Sequence, residues 1–246
     1  MRRAKVVAII QARMGSTRLP GKVLLDLHGQ TMLQRVVGRT RHAHLVDEVV
    51  VATTRHETDE PIIEECRRIG VPSFLGSEED VLDRYNRAAE AHRADVVVRI
   101  TSDCPLIDPS ETDRVVRAFL DSRPDYASNF LRRTYPRGLD TEAMSTATLA
   151  HAWLEARESY ERIHVTPYIY GHPETFQLLA VAGREDHSNY RWTVDTPEDL
   201  EFVSEVYRLL GDRDMAGWRE VLALLQANPH LAEINSSVRH KDLVEG

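Results

Sequence analysis

Residues 5–22 read KVVAIIQARMGSTRLPGK. The first part, Lys5–Ile10, is an unbroken apolar run of strand length, the pattern of a strand covered on both faces. It empties into Gln11–Lys22, a loop punctuated by Gly15, Pro20 and Gly21. A buried strand, a loop and then a helix open an α/β unit, and the chain repeats that alternation. Thr31–Arg41 has helical spacing through Met32, Leu33, Val36 and Val37. Glu48–Thr53 (EVVVAT) reads as a second strand, Asp59–Arg68 as a helix with Pro61 in its first turn, and Pro72–Leu75 as a short strand. Glu79–His92 reads as a helix and Asp95–Ile100 (DVVVRI) as a third strong strand.

Further on, Pro109–Leu120 is helical, Asp125–Arg137 is polar and irregular, Gly138–Ala143 reads as a strand crossing the site, and Ser145–Arg157 reads as a helix. Phe176–Val181 and Arg191–Val194 read as strands, and Pro197–Leu210 and Met215–Ala227 as helices. The expected fold is therefore α/β: a mostly parallel mixed sheet flanked by helices, one domain over residues 1–228, then a polar tail over 229–246.

Composition narrows the function. The chain has 246 residues, 42% hydrophobic and 28% charged, which suits a globular protein with a real core. No apolar run is long enough to span a membrane, and the five apolar residues after the basic start are too few for a signal-peptide core. Cys66 and Cys104 form no CxxC and no pairing pattern, which points to a reducing cytoplasm. A net charge of −8 argues against nucleic acid as partner. Positive charge is local instead: Arg13, Arg18 and Lys22 share one loop with no acidic residue between them. A small anionic ligand fits that pattern.

The loop has the chemistry of a phosphate cradle. Its glycines let backbone N–H groups of the loop, which starts at Ala12, approach oxyanions, Ser16 and Thr17 add hydroxyls, Arg13 and Arg18 add forked donors, and Lys22 adds a point charge. A Walker A loop is excluded, because Pro20 stands where its second glycine belongs and Val23 follows Lys22. A dinucleotide fingerprint is excluded as well, because G-x-G-x-x-G is missing and the second strand ends Ala52-Thr53-Thr54. The remaining reading of the residues is a solvated basic turn.

VVAIIQARMGSTRLPGKVLL resembles the opening of the spore-coat polysaccharide biosynthesis cytidylyltransferases, relatives of the CMP-Kdo and CMP-sialic acid synthetases. The likeness continues through VVVATT, GSEEDVLDRY, VVVRITSDCPLIDP, YPRGLDTE, HVTPYI and RWTVDTPEDLE, and leaves the region after Gly211 unmatched. The resemblance implies a glycosyltransferase-A-like nucleotidyltransferase fold, usually dimeric, with CTP and Mg²⁺. It implies that Arg13, Gly15, Ser16, Arg18 and Lys22 hold the triphosphate, that Thr54 and Thr101 lie near the base, and that Asp103 and Asp195 are the metal ligands. Relatives often carry glycine where this chain has Ser102.

The residues themselves agree with that assignment. Asp103 follows a strand at the carboxyl edge where open α/β sheets bind ligands, and Asp195 ends a later strand. A nucleotide-bound Mg²⁺ needs only one or two carboxylates, since phosphates and waters complete its shell. Asp195 has helix capping as its alternative, although Thr196 before Pro197 fits the N-cap better. Asp103 has a plain turn before Pro105 as its alternative. Cys104 reads as a small buried thiol.

YPRGLDTE, residues 135–142, resembles the family's acceptor-binding segment. Asp140 and Glu142, two apart, share a strand face and suit sugar hydroxyls or an amine. Arg137, Arg162 or His164 suits an acidic group, and a surface salt-bridge network is the competing reading. The expected reaction is attack by an acceptor oxygen on the α-phosphate of CTP, with catalysis by Arg13, Arg18, Lys22 and Mg²⁺ through positioning and charge neutralisation. Two alternatives stay open: transfer to a sugar phosphate or phosphonate acid, and a non-catalytic nucleotide-binding subunit.

Overall fold

A computed structural model describes residues 3–239. Its centre is a sheet of seven strands: β1 (Val6–Gln11), β2 (Glu48–Thr54), β3 (Ser73–Gly76), β4 (Val96–Thr101), β5 (Tyr126–Ser128), β6 (Glu142–Ser145) and β7 (Leu178–Ala180). They lie in the order β3-β2-β1-β4-β6-β5-β7. Pairing is parallel from β3 through β4 and between β5 and β7, and β6 alone runs antiparallel to both its neighbours. The chain walks outward from β1 to β3, then returns to place β4 on the other side of β1. The β1–β4 boundary is therefore the topological switch point, and its carboxyl edge is the natural ligand crevice.

The apolar strands are buried because helices cover both faces. One face packs on α1 (Met32–Arg41), α2 (Glu60–Arg68) and α4 (Pro109–Ser122) through Val36, Ile62 and Val115. The other packs on α3 (Val81–Ala91) and α5 (Thr146–Glu155) through Tyr85 and Leu149. Two short helices, α6 (Ser159–His164) and α7 (Pro167–Gly171), complete that side. A third apolar cluster gathers α8 (Pro197–Leu210) and α9 (Trp218–Ala227) around Leu106, Leu139 and Trp192. Buried Arg39 of α1 fastens this cluster to the sheet, donating to the carbonyls of Ile107 at 2.6 Å, Asp214 at 2.6 Å and Ala216 at 2.7 Å.

The structure departs from the sequence reading in the second half. β5 lies inside the stretch read as irregular, where three buried residues suffice because β6 and β7 flank them. β6 begins at Glu142, not Gly138, because the preceding residues bend around Gly138. Arg191–Val194 is extended but is no strand of the sheet. Its N–H groups bond to loops, Trp192 to the Arg137 carbonyl at 2.7 Å and Val194 to the Asp103 carbonyl at 2.8 Å. Past Ala227, a short helix α10 (His230–Glu233) buries Leu231, and residues 240–246 of the predicted tail lie outside the described residues. No described helix is long and apolar enough to cross a membrane.

Both thiols are buried. Burial, with the neighbouring Glu65 charge, pushes the Cys66 thiol up to about 12, and burial holds Cys104 well above the ordinary thiol range. A thiol must ionise and be reached in order to react. Neither cysteine is expected to react with Ellman's reagent at pH 8 in the native protein, and both should react in guanidinium; fast native labelling of either would contradict this packing.

Candidate active site

The loop after β1 is shaped by its own backbone. The Met14 carbonyl accepts from Ser16 N–H at 2.9 Å and from Gly21 N–H at 3.0 Å, folding the segment back on itself. Gly21 has φ +68°, where a side chain would be strained, and it turns the chain into the single 3₁₀ turn Lys22–Leu24. From outside, buried Asp59 clasps the loop, accepting from Met14 N–H at 2.7 Å and from the hydroxyls of Thr54 at 2.6 Å and Thr53 at 3.3 Å. A Cβ on Gly15 would meet nothing within 4 Å, so packing within the protein does not demand glycine there. Arg13 and Thr17 are exposed on this loop.

Lys22 points inward from the loop's end. Its Nζ donates to Asp103 Oδ2 at 3.0 Å, to the Val194 carbonyl at 2.7 Å and to Asp195 Oδ1 at 2.9 Å. One ammonium thus joins the end of the loop after β1, the loop after β4 and the segment before α8. Burial alone would lower its pKa, but the charges of Asp103 and Asp195 outweigh burial and hold it above the ordinary lysine value. Asp195 shows the converse: burial raises it, while Lys22 and Arg18 pull it down to about 2. Arg18 reaches Asp195 Oδ2 at 3.1 Å and Arg191 reaches the same oxygen at 2.7 Å. Thr101 donates its hydroxyl to Asp103 Oδ1 at 2.5 Å.

Asp195 is not the cap of α8. Thr196 caps it, accepting from Asp199 N–H at 3.4 Å, and Asp199 answers from the first turn. Asp199 is fully buried and holds Arg191 at 2.8 and 3.0 Å, the Asp195 N–H at 2.9 Å and Asn235 at 2.9 Å. The other amide hydrogen of Asn235 goes to the Arg191 carbonyl at 2.9 Å, so this residue is interior structure.

Gly138 brings the late segment to the loop after β4. It has φ +103°, and a Cβ there would lie 2.7 Å from the Trp192 carbonyl carbon and 2.8 Å from Thr193 N. Its absence lets residues 137–139 lie flat on 191–193, which sets Arg137 beside Arg191. Burial and the nearby Arg133 guanidinium lower the Arg137 pKa, the mark of a cation among cations. Asp140 accepts from Arg133 at 2.6 Å.

The remaining sequence candidates are engaged elsewhere. Thr54 gives its hydroxyl to Asp59. Glu142 is buried and ion-pairs with Arg99, and it accepts from the Tyr126 hydroxyl at 2.6 Å. Arg162 grips Asp80, the N-cap of α3, at 2.6 and 2.8 Å, fastening α6 to α3. His164 ends α6, half-buried. Sequence reasoning passed over Asp59, read only as a helix start, and Arg191 and Asp199, whose roles depend on residues brought from elsewhere in the chain.

A family model described as cytidylyltransferase matches residues 7–226. The chain belongs to the cytidylyltransferase family. The match runs past Gly211, beyond which the sequence reading found no likeness. The chain is 37% identical to the spore coat polysaccharide biosynthesis protein SpsF of Bacillus subtilis over 238 residues, 92% of this chain and 96% of that one. A cytidylyltransferase from Leptospira borgpetersenii superposes with a TM-score of 0.91 at 34% identity, covering 96% of this chain and 100% of the other. The CMP:2-keto-3-deoxy-manno-octonic acid synthetase, solved with CTP, superposes at 0.64 with 22% identity over 84% of this chain and 99% of its own, a likeness of fold. The protein is accordingly a nucleotidyltransferase of this family, with the sheet of that fold.

Substituting Gly138→Ala forces a side chain into the Trp192–Thr193 backbone at an unfavourable φ. It is expected to lower unfolding free energy by about 2 kcal/mol or more, read by urea denaturation. An unchanged midpoint would refute the close approach.

Proposed function

We propose that this cytidylyltransferase transfers CMP from CTP to a sugar acid or related acidic acceptor, releasing pyrophosphate. The observation that carries the proposal is the convergence of Asp103 and Asp195 on Lys22 at the mouth of a basic loop. Arg13, Gly15, Ser16, Thr17 and Arg18 line the triphosphate's path, and Ala12 begins it. The SpsF likeness supports a place in surface polysaccharide assembly. The family resemblance supports a homodimer, and the cysteine usage a cytoplasmic setting.

The donor set fits a Mg²⁺ ion shared with a nucleotide. Two carboxylates already share one cation, at 3.0 and 2.9 Å, and no cluster of three or more acidic, histidine or cysteine ligands forms a closed cage among the described residues. A metal that relies on phosphate oxygens needs no more than this. Asp103 and Asp195 would hold it, and when bound it would neutralise charge on the α-phosphate and leaving pyrophosphate.

The chain's own residues supply positioning and charge. Lys22 is held by three oxygens, which fixes its positive charge where the phosphate loop meets the two aspartates. Arg191 and Arg18 both hold Oδ2 of Asp195, and Thr101 holds Asp103. Arg137, with Arg133 and Arg191 near it, offers positive charge to an acidic acceptor, and Asp140 offers acceptor oxygens to its hydroxyls. The acceptor oxygen is brought in line with the α-phosphate by these contacts.

Pyrophosphate release should depend on both CTP and an acidic sugar such as 3-deoxy-manno-octulosonate. UTP, GTP and ATP should be poor substitutes; preference for one of them would overturn the base assignment, and release only with sugar phosphates would overturn the acceptor class. Asp103→Asn and Asp195→Asn should each lower kcat about 100-fold or more. Arg13→Ala should raise the KM for CTP with a smaller effect on folding, because Arg13 is exposed. Full activity in both aspartate variants would sink the metal assignment.

A further inference from the structure

Gln11 ends β1, and its side chain is half-buried at the switch point. In register it pairs with Thr101 across the β1–β4 boundary, while Ile9 pairs with Arg99. Arg99 reaches forward from that lower rung and donates Nη2 to Gln11 Oε1 at 3.0 Å. Its Nη1 is fixed by Glu142, which Tyr126 fixes in turn, and Tyr85 lies under the guanidinium at 5.9 Å. Buried Arg99 Nε has no partner among the described residues.

A guanidinium has donors only, so it dictates which way the Gln11 carboxamide faces. Oε1 must turn back toward Arg99, and the NH₂ group must turn away from it, toward the carboxyl edge. That NH₂ has no partner among the described residues, and its neighbour across the strands is Thr101, which holds Asp103. A buried ion pair under a single amide serves no exposed charge. It sets the orientation of one neutral donor beside the proposed metal site.

The edge's chemistry says what the donor meets. Toward β6 the edge carries Asp140, Arg133 and Arg137, suited to an acidic acceptor. Toward β2 it ends at Thr53 and Thr54, whose buried hydroxyls are held by Asp59, a strand end without charge of its own that leaves room for an uncharged nucleoside. With the α-phosphate at Asp103 just after β4 and the base over β2, the sugar joining them passes over the end of β1. We propose that Gln11 is a specificity-determining residue that donates its amide N–H to a ribose hydroxyl oxygen of the nucleotide, and that Arg99 and Glu142 are positioning residues acting through it. This rests on the nucleotide site proposed above.

Calorimetric titration with CTP, 2′-deoxy-CTP and 3′-deoxy-CTP tests it. The parent should bind CTP about tenfold tighter than one of the deoxy nucleotides, the worth of one well-made hydrogen bond. Gln11→Met, of similar size, should weaken CTP to the level of that analogue and leave the analogue's affinity unchanged. Arg99→Gln should also flatten the ratio, and should not change it further in a Gln11→Met background. A merely structural role for Gln11 would weaken all three nucleotides equally, and that result, or an unaltered ratio in Gln11→Met, overturns the proposal even if Arg99→Gln fails to fold. Failure of the parent to bind CTP at all would instead overturn the nucleotide site itself.

Discussion

One ammonium group organises the active edge of this protein. Lys22 stands at the end of a loop that begins on the first strand, and it is held by oxygens from residues 103, 194 and 195. Two half-buried carboxylates that close to each other repel unless a cation lies between them. Lys22 is that cation, so the phosphate loop, the loop after β4 and the segment before α8 share a single electrostatic constraint. The same constraint leaves Asp103 and Asp195 ready to share a different cation, which is why a structural ion pair and a metal site are compatible descriptions of these residues.

The rest of the molecule keeps those pieces in reach. The parallel order around β1 and β4 opens a crevice at one edge. Asp59 holds the phosphate loop down from the β2 side. Gly138 lets the segment through Val194 lie against the loop after β4, and the third apolar cluster, pinned by Arg39, backs that segment. Loop function thus rests on packing far along the chain, because a short polar loop cannot bury enough surface of its own to fix its position.

Much of the site was legible because phosphate chemistry demands residue types in a short span. Arg13, Gly15, Ser16, Thr17, Arg18 and Lys22 sit in ten consecutive positions, and only one strand-and-loop unit is needed to read them. Most helices and strands before residue 122 were legible because their apolar periods are long and continuous. β5 was not, since three residues carry no period. The extended run Arg191–Val194 looked like a strand because apolar and polar residues alternate there, yet its partners are loops. Glu142 and Arg162 looked like ligand contacts because charge near a motif is ambiguous until its partner is known; Arg99 and Asp80 are those partners.

The sequence alone determined the α/β class, the anion-binding loop, the two aspartates following extended segments and the family resemblance, because each depends on residues close together in the chain. Tertiary structure alone decided that Lys22, Asp103 and Asp195 share one point, that Asp59 clasps the loop, and that Arg99 turns the Gln11 amide outward. Those relations join residues separated by 45 to 173 positions. No local pattern encodes which of many charges will meet across such distances, because the meeting is set by strand order and by how three apolar clusters pack.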